Sequence, residues 1–285
     1  MTPVLHPKTQ QALQSVAQSG THAILLTAPQ GAGKETAAMD LARKLLQTNP
    51  SQSAYFSHIQ PDGKSITIEQ IRALQKFMQL KTTGSMEIRR VAILTDADTM
   101  QVEAQNALLK LLEEPPEDTV IILTASRPQQ LRPTIHSRVQ QLALLSPRKA
   151  DAMDYFMGQG NKGVDIEKAY LLSNGQMGLM TALLDTSIEH NLTAHIDTAK
   201  QLYSLTAFER LSRVDELSKD KDALGGILFA CKRICITALE QAALKNQEKA
   251  VTSWHKQLGL ITKAEESLRF NPNAKLLLTD LFIQM

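Results

Sequence analysis

The chain is poor in the residues that staple a small fold or hold a structural metal. Its 285 residues include two cysteines, Cys231 and Cys235. Two thiols build neither a disulfide framework nor a four-thiolate zinc site, and such sparing use suits a reducing compartment. No excess of one charge is present: 31 Lys and Arg stand against 29 Asp and Glu, a formal net charge of +2. No global basic field therefore announces a nucleic-acid binder, and any DNA contact would have to come from a local patch. No apolar run is long enough to span a bilayer, and Met1-Thr-Pro-Val-Leu-His-Pro7 has no basic stretch leading into an apolar one. The expected location is cytoplasmic, with no membrane partner. The seven histidines show no ligand spacing, and no low-complexity tract, internal repeat or long flexible linker is visible.

What is present reads as globular: 43% hydrophobic and 21% charged residues over a length that allows two or three modest domains. The first half alternates strand-like runs with helical patterns. Ala23–Thr27 is a buried strand, and a helix follows from Lys34 to Gln47 with Ala38, Leu41, Ala42 and Leu45 on one face. Asn49 to Gly63, rich in Pro, Ser and Gln, reads as a loop. Thr67 caps the next helix, whose stripe is Ile68, Ile71, Leu74 and Phe77 or Met78. Arg90–Thr95 and Val120–Thr124 are further continuous apolar strands, the kind covered on both faces. Between them a helix from Val102 to Glu114 is stopped by Pro115 and Pro116. Strands alternating with helices imply a parallel sheet between helical layers. After Leu145 the strand signals cease. Short helices occupy Lys149 to Leu184 around Asn174-Gly175, and long helices follow from Thr193, one with the stripe Leu228, Cys231, Cys235, Ala238, Leu239 and Ala242.

Ala28-Pro-Gln-Gly-Ala-Gly-Lys34-Glu35 lies between a strand and a helix, the setting of a phosphate loop. In such a loop Gly31 and Gly33 would let backbone N–H groups turn toward phosphates, and Lys34 would reach the β and γ oxygens at a helix N-terminus. The match to G-x-x-x-x-G-K-S/T is partial. Ala28 replaces the first glycine, and Glu35 stands at the Mg²⁺-holding hydroxyl, with Thr36 one residue later. Glu35 would repel phosphates unless it points away. A strand–turn–helix corner using glycine for geometry alone is the other reading. At the end of the second strand, the place of the Walker B Asp-Glu, stand Thr95 and Asp96. Thr95 brings no carboxylate to a metal, and Asp96 is one methylene shorter than the expected base. Alternatively Asp96 and Asp98 cap the next helix.

Further segments carry a resemblance. Thr95-Asp-Ala-Asp98, Ala104-Gln-Asn-Ala-Leu-Leu-Lys-Leu-Leu-Glu-Glu-Pro-Pro116 and Leu131-Arg-Pro-Thr-Ile-His-Ser-Arg138 are similar to AAA+ clamp-loader subunits of bacterial DNA polymerase III. Ile66–Arg72 resembles the segment before the second strand, Ser173–Gly178 resembles the lid more loosely, and Asn271–Leu278 resembles the end of the collar, the resemblance being sharp over about residues 5–145. The resemblance implies an AAA+ P-loop α/β domain over 1–145, a small helical lid domain over 146–187 and an α-helical collar domain over 188–285. Within the family, the damaged nucleotide motifs favour the delta-prime type over the ATP-hydrolysing gamma or tau type. The four-cysteine zinc module of many relatives has no counterpart in 48–65, so no zinc or other metal is expected. The lid arginine expected after Asn174-Gly175 is also missing, since Gly178-Leu179 stand there.

The resemblance makes Arg138 of Ser137-Arg138-Val139 an arginine finger for ATP on a neighbouring subunit, against the plainer reading of a surface arginine paired with a carboxylate. It implies gamma/tau-like and delta-like partners and, through the complex, a sliding clamp and primed DNA. ATP or ADP is the implied cofactor. Two alternatives stay open, a gamma-type motor using Lys34 with Asp96 as base and an AAA+ regulator that holds nucleotide without turnover, while the Asn106–Pro116 run speaks against a third, a repair or recombination AAA+ factor. Cys231 and Cys235 are read as core, Trp254 as packing in the core or collar, His136 as solvated, and Lys245 to Lys249 as a solvated helix face.

Overall fold

In a computed structural model, residues 3–80, 88, 90–185, 191–268 and 272–285 are described. The expected boundary at 187/188 and Asn271 lie outside them. The chain divides into two compact units, Met1–Asp151 and Ala152–Met285.

The first unit opens with α1 (Pro7–Gln18), β1 (Ala23–Thr27), α2 (Lys34–Leu46), β2 (Phe56–Ile59), α3 (Ile68–Met78) and β3 (Arg90–Leu94). It continues with α4 (Val102–Glu113), β4 (Thr119–Ala125), a one-turn α5 (Pro133–His136) and β5 (Gln140–Ala143). The five strands pair in the order β2-β3-β4-β1-β5, and every pairing is parallel. The segment read as a loop from Asn49 to Gly63 thus contains a strand. β2 lies at the sheet edge and buries only Ile59 fully, so it never shows the continuous apolar run of a central strand.

The central strands are apolar throughout because alternate residues enter two different cores. Leu25, Ala92, Leu94, Ile121 and Leu123 pack with Ile71, Leu74 and Met78 of α3 and Leu108 and Leu112 of α4. Ile24, Leu26, Val91, Ile93 and Ile122 pack on the opposite face with Leu13 of α1 and Ala38 and Leu41 of α2. Crossover handedness explains the division. The chain crosses from β1 to β2 in one direction along the sheet and returns through β3 to β4 in the other, so right-handed connections put α2 on one face and α3 and α4 on the other. α3 starts at a capping box in which Thr67 and Gln70 bond each other's backbone. The carbonyls of Met78, at its end, and of Leu80, two residues beyond, accept from the Arg90 guanidinium, which is buried and stacks over Phe77.

The second unit is helical in its described residues. α6 (Lys149–Met157), α7 (Gly163–Ser173) and α8 (Met177–Leu184) close a small core around Phe156, Ile166 and Met180. Then follow α9 (Asn191–Ser204), α10 (Ala207–Ser212), α11 (Val214–Leu217), α12 (Lys221–Leu244), α13 (Glu248–Leu268) and α14 (Ala274–Gln284). They share a larger core that includes Ile196, Leu228, Cys231, Cys235, Ile261 and Phe282. Gly226 permits the close approach of α9, because a Cβ there would overlap the His195 imidazole. The Tyr203 hydroxyl donates to Cys231 O, and Trp254 meets the Tyr203 ring edge-on at 5.4 Å. Arg233 of α12 donates to Leu171 O, tying α7 to the larger core. Lys245 to Lys249 are exposed.

Candidate functional site

The turn between β1 and α2 lies at the C-terminal edge of the sheet, where open α/β folds place their ligands. Gly31 and Gly33 have φ of 82° and 84°, a left-handed conformation that glycine adopts without strain. Ala28, where the motif expects glycine, is buried, and its N–H donates to Ala125 O on the neighbouring strand. Lys34 is 6% exposed. Its ammonium donates to Ser126 Oγ at 2.7 Å and to Pro29 O at 3.2 Å. Burial pushes its pKa down, and Asp96 and Asp98 oppose that shift. Thr36 is exposed on α2.

The metal side of the loop is occupied by a chain of polar side chains. His58 Nε2, from β2, lies 2.9 Å from Thr95 Oγ1 and 3.5 Å from Glu35 Oε1. Gln60 donates to the same Glu35 oxygen at 2.9 Å. Glu35 is therefore held by its own chain. Asp96 takes a left-handed turn, with φ and ψ both 50°, and its N–H donates to Thr124 Oγ1. Burial chiefly raises its pKa; Asp98 and Glu35 add to the rise, while Lys34 and Arg127 oppose it.

Neither Asp96 nor Asp98 caps α4, which begins after Gln101 with no side-chain cap. Asp98 is buried and instead accepts from the backbone N–H groups of Ser126 at 3.2 Å and Arg127 at 2.9 Å. It thereby fixes the end of β4 where Ser126 meets Lys34. The fit of this site to a nucleotide with Mg²⁺ is accordingly split. Loop glycines, the start of α2 and a lysine ammonium suit phosphate oxygens. The donor set opposite them suits Mg²⁺ poorly, because Thr95 and one Glu35 oxygen are bonded to His58 and Gln60 and both Asp98 oxygens are taken, which leaves chiefly the Asp96 carboxylate.

Arg138 stands apart from that loop, between α5 and β5. Its guanidinium donates to Thr134 O at 2.9 Å and Ser137 Oγ at 3.1 Å, and pairs with Glu113 Oε1 at 2.8 Å. Its side chain is 34% exposed. An open groove runs beside it, lined by His22, Leu112, Glu113, Ser137, Arg138 and Val139. His136 is not simply solvated: Nε2 lies 2.9 Å from Pro128 O, and Nδ1 lies 2.9 Å from Gln141 Nε2. That clasp fixes the turn presenting Arg138.

Sequence reasoning missed His58, Gln60, Ser126 and Glu113 as site residues. Only Glu113 carried a signal, as part of the Leu-Leu-Glu-Glu-Pro-Pro run. Among the described residues no group of three or more His, Cys, Asp or Glu is placed to hold a metal ion, and no helix is long and apolar enough to cross a membrane.

The family described as DNA polymerase III, delta subunit, matches residues 5–148. DNA polymerase III subunit delta' of Pseudomonas aeruginosa is 35% identical over 154 residues, covering 47% of this chain and 46% of that protein. The subunit delta' of Bacillus subtilis is 36% identical over 138 residues, covering 43% and 41%. The matches thus span less than half the length of these two relatives. Among solved structures, a DNA polymerase III gamma subunit-related protein from Thermotoga maritima superposes with a TM-score of 0.51 at 19% identity, covering 96% of this chain and 97% of that one. At that identity the likeness concerns the fold.

Proposed function

Since the chain belongs to the DNA polymerase III delta-subunit family, we propose that it is a delta-prime-type clamp-loader subunit: a scaffold that does not hydrolyse ATP itself and offers Arg138 to ATP on a neighbouring subunit. The observation that carries this reading is the distance between Arg138 and its own phosphate loop. β5 runs parallel to β1 with Ile24 beside Gln140, so Arg138 enters at the N-terminal edge of the sheet, at the level of His22. The loop leaves β1 at Ala28, on the opposite edge. Six residues of strand at about 3.3 Å each separate the two levels by about 20 Å. No arginine side chain spans that gap, which supports a phosphate partner for Arg138 on another chain.

A guanidinium presented in trans stabilises the charge developing on a transferring phosphoryl group, and such arginines contribute about 10³–10⁵-fold to turnover. Hydrolysis at the chain's own loop lacks support, because Thr95 supplies no carboxylate and Glu35 no hydroxyl at the metal positions. The large apolar side chains Phe208, Leu276 and Ile283, exposed on the helical unit, are suited to packing against the helices of partner subunits in a collar. The partners on this reading are gamma/tau-like and delta-like subunits, with the sliding clamp and primed DNA engaged through the assembly.

The test is a loader reconstituted from gamma-type and delta-type subunits, with clamp and primed DNA, in the presence and absence of this chain. Clamp loading is expected only when the chain is added, and no ATP turnover by the chain alone. Equal loading without it would refute the role. Steady turnover by the isolated chain would refute the non-hydrolysing assignment in favour of a motor.

A further inference from the structure

P-loop enzymes hold Mg²⁺ with the hydroxyl after the loop lysine and an aspartate on the adjacent strand. Mg²⁺ in turn demands near-octahedral oxygen donors at about 2.0–2.1 Å. In this chain both positions are joined to one imidazole. His58 Nε2 reaches Thr95 Oγ1 at 2.9 Å and lies 3.5 Å from Glu35 Oε1. The same Glu35 oxygen is held by the Gln60 side-chain amide, and the Gln60 backbone carbonyl accepts from Gln70 Nε2 at 2.8 Å. The Gln70 side chain of α3's capping box thus braces the chain at Gln60, directly after the strand that carries His58. Asp98 has both oxygens engaged by backbone N–H groups.

The phosphate half of the site keeps its parts. Gly31 and Gly33 hold the left-handed turn, a Cβ at Gly33 would meet nothing within 4 Å, and the Lys34 ammonium is bonded to a serine hydroxyl and a carbonyl rather than to a carboxylate. A phosphate oxygen displaces such neutral acceptors readily, because its bond to the ammonium is charge-assisted.

We propose that this loop takes a nucleoside polyphosphate without a divalent cation, with His58 standing on the side where the metal would sit. The imidazole supplies a hydrogen bond but no Lewis acid, so the nucleotide is held and not hydrolysed. The inference rests on phosphate entering the loop at Lys34 and is independent of any role for Arg138.

The experiment titrates a fluorescent ADP analogue into the full chain, once with EDTA and once with Mg²⁺. With no coupling between metal and nucleotide, the two Kd values agree within about twofold. His58→Ala and the more conservative His58→Gln, each checked for an unchanged melting curve, weaken binding in both buffers. The triple variant Glu35→Thr/Thr95→Asp/His58→Ala acquires metal dependence, binding about tenfold or more tighter with Mg²⁺. A native chain whose affinity rises about tenfold with Mg²⁺ would overturn the metal-free claim while leaving the phosphate loop standing. Native binding unaffected by either His58 substitution would overturn the part given to His58. Absence of binding in both buffers, with Lys34→Ala no different from the native chain, would overturn the phosphate-loop reading and this inference with it.

Discussion

Replacing Asp98 with alanine removes the carboxylate that joins the start of the turn after β3 to the end of β4. Asp98 is 5% exposed and accepts two backbone hydrogen bonds, from Ser126 and Arg127, with Arg127 Nε a further 3.8 Å away. Hydrogen bonds to a charged group contribute about 1.5–3 kcal/mol each. The arginine contact is half-exposed and adds about 0–1 kcal/mol. Water entering the space left by alanine recovers part of the loss, so the expected destabilisation of the α/β unit is about 3 kcal/mol, the low end for two such bonds. In a unit of this size that lowers the melting temperature by about 6–12 °C. Hydrogen exchange gives the sharper reading: the amides of Ser126 and Arg127 should exchange about a hundredfold faster, since each 1.4 kcal/mol is about tenfold. Asp98→Asn keeps one acceptor oxygen and should cost about half as much. Unchanged melting together with unchanged exchange at those two amides would refute the argument that Asp98, and not the strand pairing alone, holds the end of β4 against Lys34.

Three other outcomes follow from particular contacts. Glu113→Gln breaks a half-exposed ion pair, so stability should move by no more than about 0.5 kcal/mol. Turnover of an assembled loader should rise, because Arg138 no longer leaves a carboxylate to meet phosphate; a fall would show that Glu113 orients the guanidinium. Burial pushes the Cys231 thiol up to about 12, and the Cys235 thiol is raised for the same reason. Iodoacetamide at mildly alkaline pH should therefore label both thiols in denaturant and neither in the native chain, as read by mass spectrometry; rapid native labelling would contradict the packing. Asp96→Asn keeps a residue type that tolerates the left-handed turn. A carboxyl whose pKa is raised by folding contributes stability fully present below its unfolded value of about 4 and lost as pH rises through the raised folded value. The asparagine variant should accordingly melt above the native chain at neutral pH and lose that advantage in acid; an equal gain at both would contradict the raised carboxyl.

The strands the sequence revealed are those buried on both faces. β1, β3 and β4 bury nearly every residue, and alternate side chains feed two cores, so each reads as an unbroken apolar run. β2 and β5 lie at the two edges of the sheet and bury only Ile59 and Leu142. Phe-Ser-His-Ile and Gln-Gln-Leu-Ala carry too little periodicity to stand out. That omission hid the metal-side cluster, because His58 sits on the missed β2 and Gln60 follows directly. The remaining site contacts are long-range. Asp98 meets Ser126 and Arg127, Lys34 meets Ser126, and Arg138 meets Glu113, all between segments far apart in the sequence. Sequence spacing cannot display such pairs, which is why Asp98 reads as a helix cap until β4 is seen to end beside it. The loop glycines and Lys34 were legible because their chemistry is local: positive φ, a strand before and a helix after.

On the proposed reading Arg138 acts on nucleotide bound to another subunit. ATP turnover by a reconstituted loader, with clamp and primed DNA, should fall about 10³-fold or more when Arg138 is changed to alanine. It should be only partly restored by lysine, which lacks the planar fork. Assembly, measured by sedimentation, should stay intact. Turnover unchanged in an intact loader would make Arg138 no more than the surface partner of Glu113 and would contradict the account.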